Sequence, residues 1–411
     1  MDVAIVGAGI GGLTLALELH DAGIPCRVYE AVPRLAPLGV GINVLPHASA
    51  QLGRLGLLDE LAKLAVTTRE SVFFNRFGQL IYAEPCGRYA GYATPQFSIH
   101  RGDLQKVLAD AVLERLGPDA IALGHRITGF EQDDTGVNLA FESDAGELLP
   151  SVRASVLIAC DGVHSVVRRH FYPDEGEPRY SGVNTWRGVT RWQPILSGAS
   201  MVRAGWLSSG KMVIYPIRDS IDAQGRQLVN WLAEIETDRE VTRDWNRRGD
   251  IGDFIHSFED WHFDWLDVPA MIRAADTILE YPMVDQPPLD RWTFGRVTLL
   301  GDAAHPMVPR GSNGSAQAIL DARELRHRLH ALDDPAAALE AYQQVRLPAT
   351  AKVVSANLEV PPDILLKVVL DRTGDQPFDR IEDVISQDEM QEISERYKRI
   401  AGFSKETLAA S

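Results

Sequence analysis

Cysteine is scarce in this chain, with three residues in 411: Cys26, Cys86 and Cys160. An odd count without paired metal-ligand spacing argues against a disulfide framework or a structural metal site, and suits a reducing compartment. Positive charge is also in short supply. Lys and Arg number 41 against 57 Asp and Glu, a net charge of −16, and a field of that sign repels phosphate backbones and anionic membrane surfaces. Nucleic acid is therefore not expected as a partner, and the acidic excess reads as solvated surface. No apolar run is clean enough to suggest a membrane or signal segment. Val3 to Leu19 comes nearest, but no Lys or Arg precedes it, and it holds Gly7, Gly9, Gly11, Gly12 and Glu18. The expectation is a cytoplasmic protein without stable membrane association. Internal repeats and low-complexity tracts are absent as well.

What is present is an ordinary globular balance, 45% hydrophobic and 24% charged residues. At this length the expectation is one large domain with a smaller one inserted. The opening reads as strand, turn, helix, strand: Val3 to Val6, then glycines, then Ile10, Leu13 and Leu17 at helical spacing, then Arg27 to Glu30. Asp103 to Leu116 keeps a helical stripe that stops at Gly117-Pro118, and Ile127 to Phe141 reads as a hairpin. Two apolar strands, Val156 to Cys160 and Arg296 to Leu300, run into Gly/Asp turns and are expected beside the first strand. Between them lie short β-like runs, Val183 to Val189, Lys211 to Ile217 and Gln227 to Ile235. From Gly314 to about Val354 the pattern is helical and Pro361-Pro362 breaks it, leaving a polar, helix-prone tail with no readable chemistry.

Gly7-Ala8-Gly9-Ile10-Gly11-Gly12 matches GxGxxG between a strand and a helix, the context in which the motif carries meaning. Gly7 permits the tight turn, Gly9 lets a pyrophosphate approach the backbone, and Gly12 lets helix and strand pack closely. Glu30, at the end of the second strand, is placed to accept hydrogen bonds from ribose hydroxyls and disfavours a 2′-phosphate there. These residues specify a dinucleotide and leave FAD and NAD both open.

Leu300-Gly301-Asp302-Ala303-Ala304-His305-Pro306, followed by Gly311-Ser312-Asn313-Gly314 at a helix start, resembles the group A flavoprotein monooxygenases, single-component aromatic hydroxylases. The segment Ala159-Cys160-Asp161-Gly162 through Arg168 resembles the Asp/Gly motif of that family, with Cys160 where a small Ala is usual. Arg34 with Gly39-Val40-Gly41-Ile42, and Arg101 with Gln105, extend the resemblance over about residues 1 to 350. It implies an α/β chain with a Rossmann-like, GR2-type FAD-binding domain, an inserted mostly β substrate domain and C-terminal helices. The expected boundaries are 1–72, 95–178 and 286–358 for the FAD-binding domain, 73–94 and 179–285 for the substrate domain, and 359–411 for the tail. The implied cofactor contacts are Gly7, Gly9, Gly12, Glu30, Arg34, Gly41, Ile42, Arg101, Gln105, Asp161, Asp302, Pro306, Gly311, Asn313 and Gly314. Asp302 would reach the ribityl chain, Pro306 would lie beside the reactive edge of the flavin without acting as acid or base, and Arg168 reads as a structural or pyrophosphate-side cation.

Within that family the runs Trp186-Arg187-Gly188-Val189, Tyr215-Pro216-Ile217, Val229-Asn230-Trp231 and Tyr281 to Asp285 look most like the phenazine-hydroxylating members. The resemblance implies that NADPH or NADH reduces the FAD, that O2 forms a C4a-hydroperoxide, and that its distal oxygen passes to an electron-rich aromatic small molecule, with decarboxylation if an acid group is displaced. The substrate candidates are Trp186, Tyr215 and Trp231 as aromatic walls or as core residues, Arg187 as a carboxylate partner or a strand-surface ion pair, and His47 as a pocket group or an exposed helix-start residue. An oxidase or dehydrogenase without oxygen insertion is the alternative on the same scaffold. No metal is expected, and a monomer or homodimer is.

Overall fold

A computed structural model describes residues 1–36, 40–238 and 247–409; Gly39 of the second glycine run lies outside them. The fully buried strand Val3–Val6 sits in a six-stranded sheet between Cys26–Tyr29 and Val156–Ala159, both parallel to it. A strand buried on both faces needs an unbroken apolar run, which Val-Ala-Ile-Val supplies. The third motif strand, Val297–Leu299, is one place further out than expected: it pairs in parallel with Val156–Ala159 rather than with the first strand. The carboxyl ends of these three strands therefore open side by side, where an open parallel sheet binds ligands. Helices Ile10–Asp21, Arg101–Leu116 and Gly314–Ala331 cover the sheet, burying Leu13, Leu17, Leu104, Leu108, Ile319 and Leu325 in one core.

The second layer is a seven-stranded sheet in the order 278–285, 179–192, 227–236, 210–218, 200–206, 70–74, 80–85. Its strands are antiparallel except that 200–206 runs parallel to 70–74. The strand Gly41–Val44 pairs with Phe97–His100 and lies against the sheet.

The structure adds detail to two of the expected helical stretches. The helical stretch after Gly314 is two helices, Gly314–Ala331 and Pro335–Glu359, because Asp334 accepts from Ala336 N at 3.1 Å and Pro335 takes the first helical position, where its missing N–H costs nothing. The tail beyond Pro362 is a packed part of the fold. Its helices Ile364–Thr373 and Gln387–Ala401 bury Leu365, Leu366, Val369, Met390 and Tyr397. Ser394 and Lys398 of the second helix bond Glu84, and Arg76 bonds Asp375, so the tail straps the outer hairpin of the sheet.

Candidate functional site

The first strand delivers the chain into Gly7 at φ +105°, where a Cβ would stand 2.3 Å from Cys160 O. A Cβ on Gly12 would stand 2.0 Å from Gly7 O, whereas one on Gly9 would meet nothing within 4 Å. The outer two glycines thus close the strand–helix contact, and the middle one faces a cradle at the start of helix Ile10–Asp21, where unpaired N–H groups favour an anion. Glu30 stands at its edge. Its Oε2 accepts from Ala8 N at 2.7 Å and its Oε1 from Val32 N at 3.0 Å, leaving lone pairs on both oxygens. Gln105 donates to Ala8 O at 2.7 Å, so it fixes the turn from the other side. Arg34 and Arg101 are exposed around this end.

Asp161 accepts from Val166 N and Val167 N through Oδ2, while Oδ1 is buried without a partner. Burial pushes this carboxyl above the ordinary carboxylate range. Arg168 is committed to the protein: it ion-pairs with Glu175 and donates to Ala303 O at 3.0 Å and Ala304 O at 3.2 Å, joining the Asp161 turn to the Asp302 turn. Asp302 is exposed at the end of the third motif strand, beside Gly314 and the start of the helix that follows. His305 is buried, its Nε2 2.5 Å from Asp321 Oδ2. Burial alone would raise the Asp321 carboxyl; His305 and Arg346 outweigh it and hold the carboxyl low.

A buried polar chain continues from there. Arg346 donates to Asp321 Oδ1 and to Gln317 Oε1, both at 2.7 Å. Gln317 donates to Asn313 Oδ1 at 3.1 Å, and His47 Nε2 lies 3.2 Å from the same oxygen. Burial pushes the His47 imidazole down to about 4, so it is neutral at pH 7 and donates to that carbonyl. The sequence suggested an exposed histidine as one reading; the structure stacks it on Phe403, centroids 5.1 Å apart. Pro306 is half-buried at the start of the loop. Behind the loop a Cβ on Gly311 would overlap Tyr397 Oη at 1.7 Å, and Tyr397 donates to Asn357, which donates to Val308 O. Tyr397, Asn357 and Phe403 left no motif in the sequence.

The sheet forms the opposite wall, and strand alternation sorts its residues. Arg187 opposes Leu232, and Tyr215 opposes Asn230; both face the strand Gly41–Val44. Gly41 N donates to Asn230 Oδ1 at 2.7 Å, and a Cβ on Gly41 would stand 2.7 Å from the Tyr215 ring. Ile42 is half-buried beside it. Trp186 and Trp231 belong to the other face. Trp231 is 0% exposed and donates to Thr190 Oγ1, and Trp186 stacks on Phe254 at 4.9 Å. Both were candidates for substrate walls or core, and the structure places them in the core, because each lies one residue out of phase with the set that faces the Gly41 strand.

A nucleotide cradle at the carboxyl ends of a parallel sheet, roofed by an antiparallel sheet, defines an FAD-binding oxidoreductase class. The family described as FAD binding domain matches residues 1–246 and 273–357, and the chain belongs to it. It is 44% identical to the phenazine 1,6-dicarboxylic acid hydroxylase PhzS of Lysobacter antibioticus, over 87% of this chain and 89% of that one. The 3-amino-4-hydroxybenzoate 2-monooxygenase PtmB3 of Streptomyces platensis is 34% identical over 85% of each chain. Among solved structures, Klebsiella pneumoniae HpxO complexed with FAD and uric acid superposes with a TM-score of 0.73 at 25% identity, covering 100% of this chain and 95% of that one. The chain is a flavin-dependent monooxygenase with FAD as cofactor and NAD(P)H and O2 as co-substrates. The residues present fit FAD: Gly9 opens onto free space and the buried Asp161 Oδ1 lacks a partner.

Proposed function

We propose that the protein hydroxylates an aromatic carboxylate of the phenazine class, held flat between the sheet face and the loop from Pro306 to Gly314. The observation that carries this reading is Arg187. It lies over the Tyr281 ring at 4.8 Å, makes no hydrogen bond or ion pair with any described residue, and has a buried Nε without a partner. A cation so placed calls for an anion from outside the chain. The bound flavin supplies reduction by NAD(P)H and activation of O2. The protein contributes position and dryness. Gly7, Gly9, Gly12, Glu30, Arg34, Arg101 and Gln105 hold the adenosine and pyrophosphate end in this reading, and Asp161 and Asp302 the ribityl side. Gly41, Ile42, Pro306, Gly311, Asn313 and Gly314 seat the ring. Tyr215, buried and with its phenol pushed up by burial, stays protonated and offers its O–H to the substrate. Neutral His47 keeps the loop in place through Asn313.

We propose a cytoplasmic monomer or homodimer; the free state of the three cysteines supports the reducing compartment. Among the described residues no helix is long and apolar enough to cross a membrane.

The test is the visible spectrum of the purified protein, then stopped-flow reduction by NADH and by NADPH in the presence of phenazine carboxylates, hydroxybenzoates and quinolines. A phenazine acid should accelerate reduction and leave as a hydroxylated product carrying oxygen from labelled O2. Arg187→Ala should raise the dissociation constant of that acid about ten- to hundredfold, the loss of a charge-assisted pair; unchanged affinity would remove Arg187 from the site. Asp302→Ala is expected to purify with less than about a tenth of the FAD of the parent, since a carboxylate–hydroxyl contact of about 1.5–3 kcal/mol disappears. Full yellow colour in that variant would contradict the ribityl role.

A further inference from the structure

The sheet face that meets the glycine strand carries more positive charge than its own carboxylates answer. Arg187, Arg203 and Lys211 project from it, and Arg310 reaches toward it from the loop after Pro306, close enough to help Arg203 and Lys211 hold Asp363 in its charged form. Glu234 and Asp363 face these four cations and both take Lys211 as their ion-pair partner, while Glu84, further out on the same face, is answered by Lys398. Two positive charges are left over in a chain whose net charge is −16.

Arg203 is 8% exposed, and its one hydrogen bond with a described residue goes to Ser71 Oγ at 2.6 Å. It stands in the same transverse row as Arg187. Arg203 opposes Val213, Val213 lies opposite Leu232, and Leu232 opposes Arg187. Three strand spacings separate the two arginines, about 14 Å between backbones. Val213 and Leu232 give the row an apolar floor, and Tyr215 in the neighbouring row feels the charge of both arginines. The row has a cation at each end and hydrocarbon between.

We infer that Arg203 is a second specificity-determining residue and that the site takes an aromatic dicarboxylate, a flat ring system with one acid group on Arg187 and the other on Arg203. A substrate of that class would neutralise the two unanswered charges and lay its ring on the apolar floor. The inference rests on the reading of this face as the substrate wall, and it adds a second anchor to the one already described.

The test is isothermal titration of the FAD-loaded protein with phenazine-1,6-dicarboxylate, phenazine-1-carboxylate and phenazine. The parent protein should bind the dicarboxylate at least about tenfold more tightly than the monocarboxylate, the worth of one further charge-assisted pair. Arg203→Met should abolish that difference by weakening the dicarboxylate alone, while Arg187→Met weakens both acids. Arg203→Lys, which keeps the charge and loses the planar fork, should fall between. A general structural role for Arg203 would instead weaken all three ligands alike, and that result overturns the inference. So does equal binding of the two acids by the parent, a comparison that needs no variant to fold. If the monocarboxylate is bound and hydroxylated under either of those results, only the second anchor falls. If no aromatic acid binds the parent, the reading of this face falls with it.

Discussion

A Gly12→Ala chain is expected to purify colourless and to lose about 3 kcal/mol or more of stability. The added methyl would lie 2.0 Å from Gly7 O and 3.3 Å from Cys160 Cβ. Neither neighbour can yield. Gly7 is in a left-handed conformation with its own open side against Cys160 O, so moving it outward drives backbone into backbone. The only relief is to pull helix Ile10–Asp21 away from the strand, which carries the helix N-terminus off the cradle. Gly9→Ala separates the two consequences, because its methyl meets nothing in the protein. That variant should keep the parental melting temperature and bind FAD weakly, since the methyl occupies the space we assign to the pyrophosphate. Thermal denaturation and the ratio of flavin to protein absorbance check both variants, and a yellow, fully stable Gly12→Ala protein would show that this contact is not the one closing the turn.

Lys211→Met is expected to cost about 3–5 kcal/mol, the range for removing one member of a buried charge group. Lys211, Glu234 and Asp363 are each 2–3% exposed at the side chain, and Asp363 Oδ1 already lacks a partner. Without the ammonium, two carboxylates remain buried together and the tail loses its anchor on the sheet. Replacing all three by Met, Gln and Asn should recover most of the loss, because no unpaired charge is then left among the three buried positions. The pH dependence has a definite sign. Burial would raise the Asp363 carboxyl, but Lys211, with Arg203, holds it below its ordinary value of 3.8, so its contribution is present above that value and lost as the pH falls through the lowered pKa. Burial would lower the Lys211 ammonium, and the two carboxylates hold it above 10.5, so that contribution fades only in strong alkali. Urea denaturation of the parent and the triple variant from pH 3 to pH 8 reads this directly. A parent with no acid-side decline relative to the triple variant would remove the ion cluster as the anchor.

The parts of the molecule legible in the sequence are those set by local sterics. Gly12 answers to Gly7 O five residues away and Gly9 to open space, so both announce a strand–turn–helix locally; Gly7 answers to the distant Cys160 backbone, and only its place in the motif was legible, while the apolar strands Val3–Val6 and Val156–Ala159 follow from burial on both faces. The proposed substrate wall was half legible. Trp186 and Arg187 are neighbours in a strand, so alternation already forbids both from facing one pocket. Which of them does is decided by what packs on each face: Phe254 and Phe258 on one side, the Gly41 strand on the other. Neither partner is near in sequence. Arg203 alternates correctly within its strand but became informative only when the strand order set it in the row of Arg187. The tail was least legible, since Asp363, Tyr397 and Phe403 act on residues far away along the chain.

That last arrangement bears on how the site comes into being. The loop from Pro306 to Asn313 is held by Tyr397, by Ala401 O through Gln317, and by Phe403 through His47. The nucleotide cradle, in contrast, is closed largely by the first 30 residues and the turn at Cys160. Contacts between distant positions form late, because the chain between them must be ordered before they reward it. The half of the proposed cofactor site assigned to the adenosine end thus draws its closing contacts from residues up to about 161, and the half assigned to the ring from residues as far along as Phe403, so the two halves depend on different lengths of the same chain.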